Sequence, residues 1–447
     1  DPTSRGRARS ANAAVSFRME KGETVMPSSN WDRYVRVKYA IPDRTWVWQL
    51  SGAGFDELRL VEIPRPRPGP EDIAFRVDSN SLCFSDTKVI AQGCNHPRLA
   101  GYDVKNRKVV LGHEMSITVV ECGEKADPSF RIGGRYIVQA DMLKYNTAVG
   151  YAVWGGLIQY GVFDRRVQEY LIPVAKKIGY SEASLVEPWA CVEASYHRAD
   201  VNGQDRAVWL CGGGGPMGQM HLARMLSLKR AKRCPCIETI LVTDLSDARL
   251  KQVEGRYGRE AGDLGIRLIC LNPGAPDYSA RLDEALPSGA DYIVALAPVP
   301  SVIEDSMRRL NKYGVLNLFA GLKRGTGDVK LGDIHYDQHT VTGNTGSRIE
   351  HMVKVLRMTE KGILDTNSSA GAIAGFRAAK EGLQAVASAS VENKIVVYPQ
   401  LMDLPMTPVE KMADVIPGLP EDAAEKLRRG LWSREAERAM LENLWTP

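Results

Sequence analysis

Leu210-Cys-Gly-Gly-Gly-Gly-Pro-Met-Gly218 is the stretch that decides the fold, because it contains the pattern G-x-G-x-x-G between a buried strand and a helix. The strand is the continuous apolar run Ala207–Cys211, which is typical of a parallel strand covered on both faces. The helix is a periodic pattern over residues 217–227. In this setting the glycines can bring backbone N–H groups at the helix start close to a pyrophosphate. The glycines of the pattern are Gly213, Gly215 and Gly218.

Asp244 extends this pattern to the end of the next apolar run, residues 237–243. A carboxylate at this position can accept hydrogen bonds from the adenosine ribose hydroxyls. It lies 26 residues after Gly218, beyond the roughly 20 that are usual, and the polar insert at residues 229–235 accounts for the difference. Because an acid here would repel a 2′-phosphate, the pattern favours NAD over NADP. Two plainer alternatives are a simple glycine turn and a helix cap at Asp244.

The chain after Asp244 continues as apolar runs separated by helical patterns. Such alternation predicts βαβ units and a doubly wound parallel sheet, which we assign to residues 196–345. The predicted strands are residues 266–270, 292–296 and 315–319, and the predicted helices are residues 247–257, 278–286 and 302–310.

The region before residue 185 has a different character, with short β-like runs and many turns. Residues 57–63 and parts of 73–78 alternate with period two, and a Pro-rich stretch separates them. Further strands are predicted at residues 109–111, 116–121, 136–139 and 168–172. A predicted helix over residues 185–198, with Glu187-Pro188 near its start, leads into the parallel sheet.

Beyond residue 345 the pattern returns to helices, at residues 348–361 and 370–387, and to a strand, Lys394–Tyr398. In the tail, Pro420 and the acids after it are typical of a helix start, and Gly430 closes that helix. Ser433 is a candidate cap for a last helix.

Two short motifs in the β-rich region carry candidate metal ligands: Cys83-Phe-Ser-Asp86 and Gly112-His-Glu114. Thiolate, imidazole and carboxylate are ligands that Zn²⁺ prefers, and a catalytic zinc needs three protein ligands and one open position. Such a zinc can polarise a carbonyl or lower the pKa of an alcohol. A lone cysteine or histidine more often packs in a core, so the inference depends on the combination.

The combination resembles the medium-chain zinc-dependent alcohol and polyol dehydrogenases. The resemblance rests on Cys83-x-Ser-Asp, Gly-His-Glu with His113 thirty residues later, Glu187-Pro, the glycine loop, and a strand that ends in Asp244. Sorbitol and threonine dehydrogenases are the most similar broad branch. Residues 78–83 and 185–191 are most similar to the L-sorbose-1-phosphate reductase subgroup.

The resemblance implies an α/β fold in which a β-rich, GroES-like catalytic domain embraces a Rossmann domain with a doubly wound parallel sheet. The catalytic domain would comprise residues 1–195 and 346–447, the latter with a C-terminal helical extension. Cys83 and His113 would be zinc ligands, and the third ligand stays open between Glu114 and Glu187. Both acids and Ser85, the first step of a proton relay, are implied catalytic residues. The implied cofactor contacts are Gly213, Gly215, Pro216, Met217, Gly218, Asp244 and Arg249.

The chain also departs from the family pattern. Residues 123–190 lack cysteine, so we expect one catalytic zinc and no structural zinc site. Lys88 stands where sorbitol dehydrogenases have a histidine shortly after the Ser-Asp pair. This lysine could pair with a phosphate or acid on the substrate, or it could be a solvated surface residue.

The implied reaction is reversible hydride transfer between NAD(H) and a secondary alcohol or ketone of a polyol, sugar or sugar phosphate. One alternative is a zinc-free quinone or enone reductase of the same fold. Another is a catalytically inactive dinucleotide-binding regulator. The expected partners are a small-molecule substrate and further copies of the chain in a homodimer or homotetramer.

Composition excludes some other classes of function. The 447 residues include 58 basic and 54 acidic side chains, a balance that disfavours nucleic acid or an anionic membrane as the main partner. No apolar run reaches the roughly 18–20 residues of a membrane span. The eight cysteines are scattered, which fits a reducing cytoplasm. Residues 1–22 are Arg-rich without the apolar stretch of a secretory signal, and we expect a flexible arm, with a transit peptide as the minor alternative.

Overall fold

The computed structural model describes residues 29–323, 325–327 and 330–447. The expectation for residues 1–22 therefore lies outside the described residues. The described strands are β1 (Arg44–Leu50), β2 (Leu58–Pro64), β3 (Ile73–Ser81), β4 (Glu114–Cys122), β5 (Arg135–Val138), β6 (Asp141–Met142), β7 (Thr147–Ala148), β8 (Tyr160–Phe163), β9 (Leu171–Pro173), β10 (Ala207–Cys211), β11 (Thr239–Thr243), β12 (Arg267–Leu271), β13 (Ala290–Ala295), β14 (Leu310–Leu318), β15 (Thr340–Gly343), β16 (Ala370–Gly375), β17 (Lys394–Tyr398) and β18 (Thr407–Pro408). The described helices are α1 (Asn30–Val35), α2 (Phe84–Gln92), α3 (Arg165–Gln168), α4 (Tyr180–Ser184), α5 (Val186–Arg198), α6 (Pro216–Arg230), α7 (Asp247–Asp263), α8 (Tyr278–Ala285), α9 (Pro300–Met307), α10 (Leu331–Asp337), α11 (Ile349–Glu360), α12 (Ala379–Ala387), α13 (Glu421–Arg428) and α14 (Arg434–Leu444).

The parallel sheet that the glycine stretch predicted is present, with strand order β12-β11-β10-β13-β14-β15. Alternate residues of β10 enter two different apolar clusters. Val208 and Leu210 pack in the cluster that includes helix α6, whereas Trp209 and Cys211 pack in the cluster that includes α8 and α9. The sheet is therefore covered on both faces, which explains the continuous apolar run. The strand order reverses at β10, so the glycine loop that follows β10 lies at the switch point where such sheets bind ligands.

The β-rich part forms a second, mostly antiparallel sheet around β3, in the order β18-β16-β17-β3-β4-β5-β9, with β8 also paired to β3. All nine residues of β3 are buried. Strand β17, from the C-terminal part of the chain, pairs with β3 through Val396 and Ser81. The C-terminal part thus returns to complete the sheet that the N-terminal part begins.

Two predicted elements are wrong. Residues 109–111 form no regular strand: Val109 makes a single bridge to Leu50, and Gly112 follows with a φ of 93°, which interrupts the pleat. The helix predicted over residues 370–387 is divided into strand β16 and helix α12. Its first part is rich in alanine, a strong helix former, but lies buried between β17 and β18, so tertiary pairing overrides local propensity. The strand predicted at residues 168–172 is displaced to β9.

The tail packs onto the β-rich part. Ser433 caps helix α14, as predicted, by accepting the N–H of Ala436. The buried carboxylate of Glu437 on this helix accepts the backbone N–H groups of Tyr180 and Ser181, each at 2.7 Å. The tail therefore fastens helix α4, which directly precedes α5.

The domain boundaries predicted at residues 195 and 345 stay a prediction, which the limits of the parallel sheet support, from Ala207 to Gly343. None of the helices that the structure describes is long and apolar enough to cross a membrane.

Candidate active site

The two metal-ligand motifs meet at one end of the β3–β4 pair. Cys83 follows β3 and precedes the first residue of α2, while Glu114 begins β4 opposite Ser81. This antiparallel pairing brings two motifs that lie thirty residues apart into contact. The donor atoms of Cys83, His113 and Glu114 all lie within 4.8 Å of one another.

Asp86 organises this group. One carboxylate oxygen accepts the backbone N–H of Cys83 at 3.1 Å, and the other is 3.1 Å from Nδ1 of His113 and accepts the N–H of Gly112 at 3.3 Å. A carboxylate behind Nδ1 favours the proton on that nitrogen and leaves Nε2 free as a ligand, as in carboxylate–histidine–zinc arrangements. Burial lowers the pKa of His113, but the charges of Asp86 and Cys83 outweigh burial and hold it well above its usual value.

Ser85 lies on the ligand side of the same histidine. Its hydroxyl is 3.1 Å from the Cys83 sulfur and 3.2 Å from Nε2 of His113. The hydroxyl also interacts with that of Tyr151, a buried residue whose ring centre is 6.1 Å from the ring of His113. Ser85 is therefore placed among the predicted ligands, with a second hydroxyl within reach.

Glu114 and Lys394 form an ion pair in the interior. The Lys394 ammonium lies 2.7 Å from one carboxylate oxygen of Glu114 and donates to the carbonyl of Leu82, also at 2.7 Å. Burial lowers the pKa of Lys394, but the charges of Glu114 and Cys83 outweigh it, so the pKa is raised. The other oxygen, Oε2 of Glu114, is buried and has no hydrogen-bond partner among the described residues.

The unpartnered oxygen of Glu114 indicates whether the three side chains suit a metal ion. A buried carboxylate oxygen without a partner is costly, so native structures usually satisfy such atoms. A cation beside Cys83 and His113 would satisfy it, and thiolate, imidazole and carboxylate are the donor set that suits zinc. The residues present therefore fit a zinc ion.

Glu187 lies at the edge of the group rather than inside it. It is buried on α5, but the donor atoms that lie within 4.8 Å of one another do not include its carboxylate oxygens. Burial raises the pKa of Glu187 to about 7, which the charge of His113 opposes and that of Glu114 reinforces. The thiol of Cys191 lies 3.6 Å from its Oε1. Of the two acids left open by the sequence, only Glu114 is in the group of three.

His197, Glu350 and His351 form a second group of donor atoms within 4.8 Å of one another. Nδ1 of His351 accepts the backbone N–H of Arg348 at 3.1 Å, and its Nε2 is 2.8 Å from Nδ1 of His197. A neutral imidazole has one acceptor nitrogen, so Nε2 of His351 carries the proton. That proton occupies the lone pair that a metal would need, which makes this group a poor metal site.

The glycine loop leaves no room for a side chain at two of its three pattern glycines. A Cβ on Gly218 would overlap the carbonyl of Gly213, so the helix start packs directly against the strand end. A Cβ on Gly213 would lie 2.7 Å from the Cβ of Leu210. Gly215 is different, because its nearest neighbour would be Arg249, at 3.7 Å. The loop is therefore closed at Gly213 and Gly218 and open at Gly215, where Pro216 and Met217 then begin helix α6.

Asp244 lies against this loop. Its carboxylate accepts the N–H of Gly214 at 3.1 Å and the N–H of Ser246 at 3.0 Å. The cap of α7 is Ser246, so the plainer role of Asp244 as that cap does not apply. Arg249 donates to the carbonyls of Ala389 and Val391, and thereby links the glycine-loop side to the C-terminal part of the chain.

The sequence did not predict that Asp86 contacts His113 or that Lys394 pairs with Glu114. The signal for Asp86 was its place after Ser85 in the cysteine motif. The signal for Lys394 was a charged residue at the start of an otherwise apolar strand, Lys394–Tyr398. In both cases the partner lies far along the chain.

Comparison with known proteins gives the following similarities. Residues 69–175 match the alcohol dehydrogenase GroES-like domain. The mannitol-1-phosphate 5-dehydrogenase of Aliivibrio fischeri is 25% identical over 87% of this chain and 96% of its own length. The L-sorbose 1-phosphate reductase of Klebsiella pneumoniae is 28% identical over 87% of this chain and 95% of its own length.

Solved structures agree on the fold. The crystal structure of 2R,3R-butanediol dehydrogenase from Bacillus subtilis superimposes with a TM-score of 0.64 at 22% identity, covering 79% of this chain and 99% of that one. Acetophenone reductase from Geotrichum candidum, in complex with NAD, gives a TM-score of 0.60 at 16% identity, covering 80% and 98%. The predicted resemblance to the medium-chain zinc-dependent dehydrogenases, and the α/β fold with a GroES-like domain, are therefore confirmed.

Proposed function

We propose that this protein is a zinc-dependent, NAD(H)-linked oxidoreductase that interconverts a secondary alcohol and a ketone of a polyol, sugar or sugar phosphate. The observation that carries the proposal is the group of Cys83, His113 and Glu114, with one buried carboxylate oxygen left unpartnered. Beyond the geometry, the similarity to two sugar-phosphate oxidoreductases along most of the chain supports it. The active site would lie in the cleft between the β-rich domain and the Rossmann domain.

Cys83, His113 and Glu114 would hold the zinc, with Glu187 as the alternative acid at the edge of the group. When bound, the zinc would supply Lewis acidity that stabilises negative charge on the substrate oxygen. Asp86 would orient His113, and Lys394 would orient Glu114. Ser85 would hold the proton of the substrate hydroxyl and pass it towards Tyr151.

The glycine loop would hold the dinucleotide. Backbone N–H groups at the start of α6, including Met217, would face the pyrophosphate where the loop is open beside Gly215. Asp244 would accept the ribose hydroxyls, which favours NAD over NADP. Arg249 would line the same edge while it holds the C-terminal part of the chain in place.

We further propose one catalytic zinc and no structural zinc. The absence of cysteine between residues 123 and 190 supports this, and so does the protonated nitrogen of His351 in the second donor group. The homodimer or homotetramer and the cytoplasmic location stay predictions.

The test combines metal analysis with an assay. We expect about one zinc per chain after gentle purification, and NADH-linked turnover of polyols, ketoses or their phosphates that a chelator abolishes. Cys83→Ser should lose both zinc and activity, whereas Cys94→Ser, at an exposed cysteine, should keep both. Activity without zinc would favour the quinone or enone reductase. Dinucleotide binding without turnover of any substrate would favour the regulator.

A further inference from the structure

Three basic side chains lie near the candidate metal site: Lys88, His96 and Arg98. All three come from the short segment that begins at Cys83. The ring of Tyr151 is close to His113 of the metal site and also to His96 and Arg98. Its ring centre is 6.1 Å from the ring of His113, 5.6 Å from the ring of His96 and 4.9 Å from the guanidinium carbon of Arg98. Only the ring of Tyr151 therefore separates His96 and Arg98 from His113.

Lys88 carries a charge without a counter-charge. The side chain is exposed, and no acidic residue within the described chain forms an ion pair with it. Its ammonium lies 5.4 Å from the ring centre of Phe84, and a Cβ placed on Gly321, after β14, would be 3.5 Å from it. Lys88 therefore extends from the β-rich part towards Gly321, just after β14 of the parallel sheet.

Arg98 is held in place by an ion pair, but its guanidinium still has free N–H donors. Its terminal nitrogens pair with both oxygens of Asp141. A guanidinium has five N–H donors, so this pair leaves donors for a second anion. The charge of Glu187 also acts on Arg98, so Arg98 is within electrostatic range of the acid at the edge of the metal site. Because the side chain is 41% exposed, a ligand in the cleft can reach it.

His96 offers a directed donor beside Arg98. Its Nδ1 accepts the backbone N–H of Arg98 at 3.3 Å, so the proton of the neutral ring lies on Nε2. None of the described residues accepts that proton. Burial lowers the pKa of His96, and the charges of Arg98 and Lys88 lower it further, which favours the neutral ring.

We propose that Lys88, His96 and Arg98 bind a phosphate group of the substrate, at the end of the molecule remote from the reacting carbon. This proposal rests on the proposed function and narrows its substrate class to phosphate monoesters of polyols or ketoses. A phosphate monoester carries a charge of about −1.5 to −2 at pH 7 and three acceptor oxygens. An ammonium, a guanidinium and a neutral imidazole N–H complement it, whereas an uncharged polyol would leave Lys88 without a counter-charge.

The test compares matched ligands, each a hexitol or ketohexose with and without a terminal phosphate. Binding to the zinc-loaded enzyme is measured by isothermal titration calorimetry, with NADH for the hexitols and NAD for the ketohexoses so that no hydride is transferred, and kcat/KM by NADH absorbance. We expect the phosphorylated member of a pair to bind and react about 100-fold better or more. Charged hydrogen bonds of ordinary strength predict that Lys88→Met or Arg98→Met lowers this preference about 10- to 100-fold, mainly through KM.

Controls separate this proposal from its alternatives. Lys125→Met, at an exposed lysine outside the cleft, should leave the preference unchanged, and Lys88→Arg should keep most of it. Equal binding of phosphorylated and free ligands by an active zinc enzyme would overturn the proposal and leave the proposed function intact. A rise in KM for NADH rather than for the substrate in Lys88→Met would also overturn it, by assigning the lysine to the cofactor. Absence of zinc and of turnover would instead count against the proposed function, while calorimetry would still report on the phosphate site.

Discussion

The candidate metal site and the candidate nucleotide site are built in opposite ways. The metal site gathers side chains from four separate places, around Cys83, His113, Glu187 and Lys394, and it depends on buried charges. The nucleotide site is one continuous loop, residues 211–218, together with Asp244 at the end of the next strand, and it depends on backbone geometry. A site made from neighbouring residues is legible in the sequence, whereas a site made by tertiary contacts shows only some of its members.

Substitutions should also disrupt the two sites in different ways. In the metal site two buried pairs bring opposite charges together, Lys394–Glu114 and His113–Asp86. Removing one partner there leaves the other without compensation. In the nucleotide loop the close approach of Gly213 and Gly218 is steric, so an added carbon displaces the backbone.

Lys394→Met should have the largest effect. It leaves the buried carboxylate of Glu114 unpaired, and breaking such a pair costs about 3–5 kcal/mol. Urea unfolding in the presence of chelator measures this loss, because zinc then cannot replace the missing charge. The double variant Lys394→Met/Glu114→Gln should regain most of the stability. A loss below about 1 kcal/mol in the single variant would show that the pair is not buried in solution.

Asp86→Asn should have the next largest effect. Substituting a carboxylate that orients a ligating histidine typically weakens metal affinity about 10- to 100-fold. Zinc affinity measured in metal buffers should therefore fall by that factor. The zinc-free protein should also lose stability, because the buried His113 then lacks its counter-charge. Asp103→Asn, at an exposed loop carboxylate, is the matched control. Unchanged zinc affinity in Asp86→Asn would contradict the role of Asp86 in orienting His113.

The sequence predicted the parallel sheet best, because each buried strand is a continuous apolar run flanked by helices. Every strand predicted between residues 207 and 319 has a counterpart among β10–β14. The prediction from the sequence was wrong at residues 370–375, where small residues are compatible with either a helix or a buried strand. Only the pairing of β16 with β17 and β18 decides between them.

For the site, the sequence supplied Cys83, His113 and Glu114 but not the residues that hold them. Lys394 lies 280 residues beyond Glu114, and no local pattern marks a charged residue as the partner of another at that separation. The sequence left the third zinc ligand open between Glu114 and Glu187 for the same reason. The distance of Glu187 from Cys83 depends on how helix α5 packs against the β-rich sheet, whereas the pairing of β3 with β4 sets that of Glu114.

Gly218→Ala should have the third largest effect. The new Cβ would overlap the carbonyl of Gly213, and overpacking of this kind costs about 1–3 kcal/mol. Because the displaced backbone would no longer present its N–H groups to the pyrophosphate, we expect weaker binding in an NADH fluorescence titration. Gly255→Ala is the matched control, since a Cβ there meets no atom within 4 Å. This control should raise stability by about 0.5–1 kcal/mol. Full NADH affinity in Gly218→Ala would contradict the proposed cradle.

His221, on helix α6 after the glycine loop, gives the smallest effect at neutral pH, and it tests whether a buried histidine outside the metal site lacks a counter-charge. It is buried with Nδ1 2.8 Å from the hydroxyl of Tyr196, and its Nε2 has no partner among the described residues. Burial lowers the pKa of His221 to about 3. Above the ordinary histidine pKa of about 6.5, neither the folded nor the unfolded chain binds this proton.

As the pH falls below that value, only the unfolded chain gains the proton. The free energy of unfolding should then fall by up to about 1.4 kcal/mol per pH unit until the folded pKa is reached. His221→Gln should remove this part of the slope when urea unfolding is followed from pH 6 to pH 4. Tyr196→Phe removes the hydrogen bond but not the titrating group, so it should lower stability at every pH and keep the slope. An unchanged slope in His221→Gln would mean that the protonated form of His221 is stabilised in the folded protein. The region of the nucleotide site would then hold a stabilised buried charge, as the metal site does.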